Sequence, residues 1–185
     1  MLPNDVVDLA ASVLARRRKV LDIFAAFKGR SLETHGIRIH GDYHLGQVLR
    51  VKTDFVILDF EGEPARSLWE RRAKQSPLKD VAGMLRSFSY AAYASLINYT
   101  KRHPENVSRL EPWTQLWERS VGAEFLRAYR ETAGQDNFVS LSGGDFRKLL
   151  NVFLLDKALY EVLYELNSRP AWIRIPLMAI LLIDE

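Results

Sequence analysis

His40-Gly41-Asp42-Tyr43-His44-Leu45-Gly46-Gln47, followed after a short apolar stretch by Asp59-Phe60-Glu61-Gly62-Glu63, decides the reading of this chain. Between the two segments, Val48-Leu49-Arg50-Val51 and Phe55-Val56-Ile57-Leu58 read as short strands. Lys52-Thr53-Asp54 suits the tight turn that joins them. Ile37-Arg38-Ile39-His40 alternates in character and reads as a further short strand. Antiparallel pairing brings the polar ends together, with His40, Asp42, His44 and Gln47 on one side and Asp59 and Glu61 on the other. Phosphoryl transfer needs a cluster of this kind. One carboxylate orients or accepts the proton of the attacking hydroxyl, while a second carboxylate and an amide oxygen hold magnesium against the phosphates. Magnesium is a hard cation that takes oxygen ligands, and Asp59 and Gln47 both offer oxygen.

Outward from the hairpin the texture is helical. Asn4 or Asp5 caps an expected N-terminal helix running toward Phe27, with Val6, Leu9, Val13, Leu14, Val20, Ile23, Phe24 and Phe27 near a helical period and Gly29 as its stop. The run Arg16-Arg17-Arg18-Lys19 reads as a solvated face. After Pro64 the chain is helical again. Ser76-Pro77 starts a helix whose apolar stripe is Val81, Met84, Leu85, Phe88 and Ala92. Pro104 and Pro112 bracket an expected loop. A helix follows over 113–132, with Leu116, Val121, Phe125 and Tyr129 on its buried side. Ser142-Gly143-Gly144-Asp145 precedes a long helix from Phe146 to about Asn167, which Arg169-Pro170 ends. A last helix carries Trp172, Ile175, Leu177, Ile180 and Leu181. The expected fold class is α+β and mostly helical, with one small β-hairpin at the catalytic loop. Its division is an N-terminal helix over 1–30, the hairpin over 37–63 and a helical subdomain over 64–185, all in a single domain.

Composition bounds the rest. The chain has 185 residues, of which 48% are hydrophobic and 26% charged, enough to bury a core and too ordinary for a disordered chain. A formal net charge of +3 gives no argument for nucleic acid. Cysteine is absent, which excludes disulfide frameworks and thiolate metal sites. The N-terminus lacks a basic segment leading into an apolar run. The most apolar stretch, Ile175 to Ile183, is far shorter than the roughly 20 residues of a membrane span. The default expectation is a cytoplasmic protein with no membrane partner.

The spacing resembles a known pattern. Protein kinases use H-R-D-x-x-x-x-N and then D-F-G. Here Gln47 stands five residues after Asp42, and Asp59-Phe60-Glu61 follows one hairpin later. The aminoglycoside-phosphotransferase-like small-molecule kinases place Gly in the middle of the first motif and His two residues past the Asp, and the chain resembles that form. Within the superfamily it looks most like the maltokinases, which make maltose 1-phosphate from maltose and ATP. The residues that carry this are His40 to Leu49, Leu58 to Arg66 (LDFEGEPAR), Ser76 to Phe88 (SPLKDVAGMLRSF), Asp156 to Glu161 (DKALYE) and Asn167 to Trp172. The resemblance implies the C-terminal lobe of a protein-kinase-like fold, with ATP and Mg2+ as cofactors. It implies Asp42 as catalytic base, Gln47 and Asp59 as magnesium ligands, and Glu61 in support of the metal. His44, Arg86, Lys157, Tyr160 and Glu161 become candidates for the sugar pocket. It also implies partners: an N-terminal lobe supplying the nucleotide lysine, which the residues ahead of His40 do not provide, or a fused trehalose-synthase domain.

Several of these residues have plainer readings beside the functional one. His40 suits a structural role in holding the loop backbone. Lys157 and Glu161 stand four apart, as a surface ion pair does. Tyr160 and Tyr164 suit a core, and Arg86 suits a helix cap or a pair with Asp80. A non-catalytic sugar-binding or interaction module is a second reading of the whole chain. A metal-dependent hydrolase or oxygenase built on His40-x-Asp42-x-His44 is a third.

Overall fold

The structure, a computed structural model, describes residues 4–28, 36–64, 66–134 and 143–183. The chain forms two compact units, one made of 1–33 with 141–185 and the other of 34–140. The helical segment expected as one subdomain over 64–185 is thus shared between two units.

Among the described residues, the first unit contains α1 (Asn4–Ala15), α2 (Arg17–Ala25), α6 (Gly143–Ser168) and α7 (Arg174–Leu182). The single N-terminal helix expected from the sequence is two, broken at Arg16. The Arg16 guanidinium donates to the carbonyl of Leu181 at 2.6 Å, which ties the break to the end of α7. The expected cap at Asn4 or Asp5, the stop at Gly29 and the lead-in at Ser142 lie outside the described side chains and residues. Leu155, Ala158 and Ile180 form one core cluster, joined by half-buried Val13, Val20, Ile23 and Phe24. Val6, Ile173 and Leu177 form another with Leu9 and Ala10. Burial of each such aliphatic side chain contributes about 1.5–3 kcal/mol. Glu165 is fully buried and is held by a forked pair of bonds from Arg169, at 2.8 and 3.1 Å. A buried carboxylate keeps its charge only with such a partner.

The second unit contains the hairpin β1 (Val48–Val51) and β2 (Asp54–Ile57), followed by α3 (Leu68–Arg72), α4 (Leu78–Thr100) and α5 (Val107–Ala133). The strands pair antiparallel, Val48 opposite Ile57 and Val51 opposite Asp54, and Lys52 takes a left-handed φ of 57° in the turn. Ile37 makes only an isolated bridge to Gln75, so the expected strand over 37–40 does not develop. The helix α3 was not apparent from apolar period. A capping box builds it instead: Ser67 accepts from the Glu70 amide, and the Glu70 carboxylate accepts from the Ser67 amide.

The spine of this unit is α4. Leu78, Val81, Ala82, Met84, Phe88 and Ala92 are buried along one face, as the three-and-four spacing dictates. The helix α5 packs alongside, with the Phe88 and Phe125 rings edge to face at 5.6 Å. It begins before Pro112 rather than after it. Proline there removes one N–H, and the residue whose carbonyl that N–H would bond, Ser108, is exposed. Leu116, expected on the buried side of α5, is 54% exposed, because α5 is an outer helix with one packed face.

One residue of α4 admits the hairpin segment closely. A Cβ on Gly83 would lie 2.7 Å from the Tyr43 carbonyl oxygen. Gly83→Ala gains about 1 kcal/mol in helix propensity but forces backbone against backbone, an overpacking that costs roughly 1–3 kcal/mol. We expect net destabilisation, read as a lower urea midpoint. A midpoint raised above wild type would show that the loop is not held against α4.

Candidate functional site

The hairpin sets the site at its open end. Continuing the ladder past Val48 and Ile57, the Leu58 amide donates to the Gln47 carbonyl at 2.9 Å. That pairing puts the next side chains together: the Gln47 amide nitrogen donates to Asp59 Oδ2 at 2.9 Å. Asp59 has a φ of 60°, a left-handed conformation that is uncommon for a residue with a side chain and is tolerated best by Asn and Asp.

His40 ties the two motif segments to each other. Its Nε2 lies 2.6 Å from the Leu58 carbonyl, and its Nδ1 accepts the Asp42 amide at 3.3 Å. The accepting Nδ1 leaves the ring proton on Nε2, which therefore donates to Leu58. The His40 ring lies 5.0 Å from the Phe60 ring and 5.7 Å from the Tyr43 ring. Both nitrogens are engaged by the chain itself. The metal reading of His40-x-Asp42-x-His44 thereby loses one of its two histidines, and the described residues contain no group of three or more His, Asp or Glu suited to a metal.

The backbone of the loop over residues 40–45 is pinned to α4. Asp80 accepts the His40 amide at 2.6 Å and the Gly41 amide at 2.9 Å, and Ser87 Oγ accepts the Leu45 amide at 3.0 Å. Burial pushes the Asp80 carboxyl up from its ordinary value, against the pull of the two amides. Gly41 and Gly62 both take left-handed φ, 84° and 78°, and a Cβ on Gly41 would lie 3.3 Å from Gly62 Cα. This close crossing brings the two motifs side by side, and glycine meets both demands. Behind the loop lies a cavity of about 340 Å³, lined in part by Ile39, His40, Tyr43, Asp80, Phe125 and Tyr129. Burial, then the Asp80 charge, raises the phenols of Tyr43 and Tyr129.

The remaining candidates are placed as follows. His44 Nε2 lies 3.8 Å from Asp42 Oδ2. The Glu61 carboxylate lies 3.8 Å from Arg71 and is largely exposed. Arg86 is buried within the α4 and α5 packing, where it donates to Ser89 at 3.1 Å and lies against the Tyr90 ring; Ser89 in turn bonds Glu118. Lys157, Tyr160 and Glu161 belong to α6 in the other unit. The Lys157 ammonium lies 5.1 Å from the Tyr160 ring centre, Tyr160 stacks on Tyr164, and Glu161 is buried. Among the described residues, His44 thus faces Asp42, and Gln47 bonds Asp59 at the hairpin base. Asp80, Gly83 and Ser87 lie within the quoted segment over 76–88, but their part in holding the loop against α4 does not follow from its sequence. Asp80 reads in sequence as an ordinary acidic residue in a first helical turn.

The donor set suits magnesium. Gln47 and Asp59 supply an amide oxygen and a carboxylate, and magnesium characteristically takes one or two carboxylates and completes its shell with water and substrate phosphate.

No protein-family model matches the chain. A glucosamine kinase of Streptacidiphilus jiangxiensis is 27% identical over 161 residues, spanning 85% of this chain and 34% of that protein. A glucosamine kinase of Mycolicibacterium smegmatis is 31% identical over 151 residues, spanning 79% of this chain and 34% of its own length. A solved glucosamine kinase in complex with glucosamine, ADP and inorganic phosphate superposes with a TM-score of 0.77 at 24% identity, over 94% of this chain and 39% of that one. A second crystal form gives a TM-score of 0.75 over 94% and 40%. The chain has the fold of one portion of a glucosamine kinase. It spans about a third of the length of the curated relatives it matches. These relatives carry the name of an amino sugar where the resemblance implied maltose. No helix among the described residues is long and apolar enough to cross a membrane.

The Asp80 tether is open to direct measurement. Asp80→Ala leaves the His40 and Gly41 amides without their acceptor in a buried setting, at a cost of about 2–4 kcal/mol. Asp80→Asn keeps one acceptor and should fall between. Hydrogen exchange at the Gly41 amide should accelerate in both. Unchanged exchange in Asp80→Ala would remove Asp80 as the anchor of the loop.

Proposed function

We propose that this chain carries the phosphoryl-transfer site of an ATP-dependent sugar kinase. The observation that supports it most is the Gln47–Asp59 pair at the hairpin base, beside a loop that presents Asp42. In this reading the sugar hydroxyl oxygen attacks the γ-phosphorus of ATP. The bond to the β,γ-bridging oxygen breaks, ADP leaves, and the hydroxyl proton passes to Asp42. Gln47 and Asp59 would hold Mg2+ through their oxygens. The ion, when bound, offsets the charge of the phosphates. Glu61 supports that region from its position between Asp59 and Arg71. The left-handed backbone at Asp59 aims its carboxylate back across the hairpin, which is where Gln47 stands.

The relatives' name favours glucosamine as acceptor, and maltose is the competing acceptor that the sequence resemblance implies. Lys157, Tyr160 and Glu161, the acceptor candidates that the resemblance implies, stand on α6 in the other unit. Arg86 is committed to its buried bonds with Ser89 and the Tyr90 ring, so it contributes to packing of α4 against α5 rather than to the sugar.

The test is ADP release by the polypeptide as its organism makes it, with glucosamine and maltose offered separately. We expect turnover with glucosamine above that with maltose. Asp42→Asn should lower kcat by roughly 10²–10⁴-fold, the range of a lost general base. ATP consumption with neither sugar would overturn the kinase reading, and a preference for maltose would reverse the acceptor.

A further inference from the structure

The two ring nitrogens of His44 have different company. Nδ1 accepts the Gly46 amide at 3.0 Å and so caps the short 3-10 turn over Leu45–Gln47. A nitrogen that accepts carries no proton, so the neutral ring bears its proton on Nε2. That nitrogen lies 3.8 Å from Asp42 Oδ2. The same device occurs one step earlier in the chain. His40 Nδ1 accepts the amide two residues ahead, at Asp42, and its Nε2 faces the Leu58 carbonyl just before Asp59. In each case a backbone amide sets the tautomer and aims the opposite nitrogen. For His40 the target is backbone, whereas for His44 the target is the carboxylate of the proposed base.

Space around the ring is set by Gly46. A Cβ at that position would lie 2.8 Å from His44 Cε1 and 2.9 Å from Nδ1. A residue with a side chain at 46 therefore displaces the imidazole. His44 and Gly46 act as one unit, with glycine making the room in which the ring takes its cap and its aim. The His44 side chain is 42% exposed and that of Asp42 23%, so the ring fills no core. Packing alone gives it no reason to be histidine.

We propose that His44 is a positioning residue for Asp42: the Gly46 amide locks its tautomer, and its Nε2–H holds the Asp42 carboxylate toward the acceptor hydroxyl. This rests on the kinase reading given above. At 3.8 Å the contact is a charge–dipole attraction, longer than a formed hydrogen bond. Active-site bonds of this kind tighten when substrate binds. His44 thus leaves the sugar pocket to which the resemblance assigned it and acts through the base instead.

Two substitutions separate its two ends. His44→Asn places an amide where Nδ1 stood, keeping the cap on Gly46 and removing the donor at Nε2. His44→Gln reaches the Nε2 position with an amide N–H. We expect His44→Asn to lower kcat about tenfold, the worth of one hydrogen bond to a charged group, with the sugar KM kept within about twofold. His44→Gln should recover most of that loss. Gly46→Ala, which keeps the histidine but pushes its ring aside, should lower kcat as His44→Asn does. A long-range proton–nitrogen correlation spectrum of the wild-type chain should show the Nε2–H tautomer at His44.

An Nδ1–H tautomer overturns the inference, independently of any turnover. So does full kcat in His44→Asn or Gly46→Ala when the wild type phosphorylates sugar. A raised sugar KM with kcat intact also overturns it, by placing His44 on the substrate. No turnover by the wild type on any sugar overturns the kinase reading instead, and the tautomer spectrum tells the two failures apart.

Discussion

The half-buried carboxylate of Asp80 takes the backbone amides of two successive residues, His40 and Gly41, and the site's geometry follows from that bond pair. A loop of this kind has backbone donors that no strand or helix satisfies, and each must find a partner or water. One rigid helix supplies most of the answer. Along α4, Asp80 takes the first two amides, Gly83 leaves room for the Tyr43 carbonyl, and Ser87 takes the Leu45 amide. These positions step along α4 at intervals of three and four, so one helix face follows the whole loop. The apolar stripe that anchors α4 in its core therefore also fixes where Asp42 stands. Stability and site geometry meet in the same helix.

The hairpin works from its base and not from its tip. Its strands carry exposed apolar residues, Leu49, Val51, Phe55 and Val56 among them, and a two-stranded ribbon alone is marginal in water. What holds it in place is concentrated at the open end: the Leu58 amide on Gln47, the His40 ring on Leu58, and the Gly41–Gly62 crossing. All of these lie within a few residues of Asp59. The left-handed backbone there costs free energy of about 1 kcal/mol or more, and it persists because the neighbouring bonds over-determine it. Strain of this kind collects where a side chain must be aimed, and the carboxylate of Asp59 is aimed at Gln47.

What was legible in the sequence was local. The two strands, their tight turn, the α4 stripe and the long helix before Arg169 all follow from period and punctuation. So does the pairing of Gln47 with Asp59, because a hairpin converts sequence distance into proximity by one simple rule. What was not legible depended on partners distant in the chain. The first helix breaks at Arg16, whose guanidinium donates to the Leu181 carbonyl, far along the chain. The segment at Ile37 has strand-like alternation but finds only Gln75 opposite, and alternation without a partner makes no strand. Leu116 has the spacing of a core residue on a helix that lacks a second neighbour to bury it. Asp80 looks like any acidic residue in a first turn until the loop closes over it.

The two motif histidines show how a short sequence can encode orientation as well as residue type. In both, the side chain takes an amide two residues ahead, a local bond that needs nothing from the rest of the fold. That bond leaves one nitrogen as an acceptor and makes the other a directed donor. A lysine or arginine in either place would bring charge without an acceptor to take the amide, and an asparagine would take the amide without the reach. Imidazole does both. Its use at His40 to grip the backbone before Asp59, and at His44 to face Asp42, makes the spacing His-x-Asp-x-His-x-Gly a chain of tautomer-setting bonds rather than a set of metal ligands. The glycine that closes this chain at 46 is needed for the space it leaves, so the motif is a statement about shape as much as about chemistry.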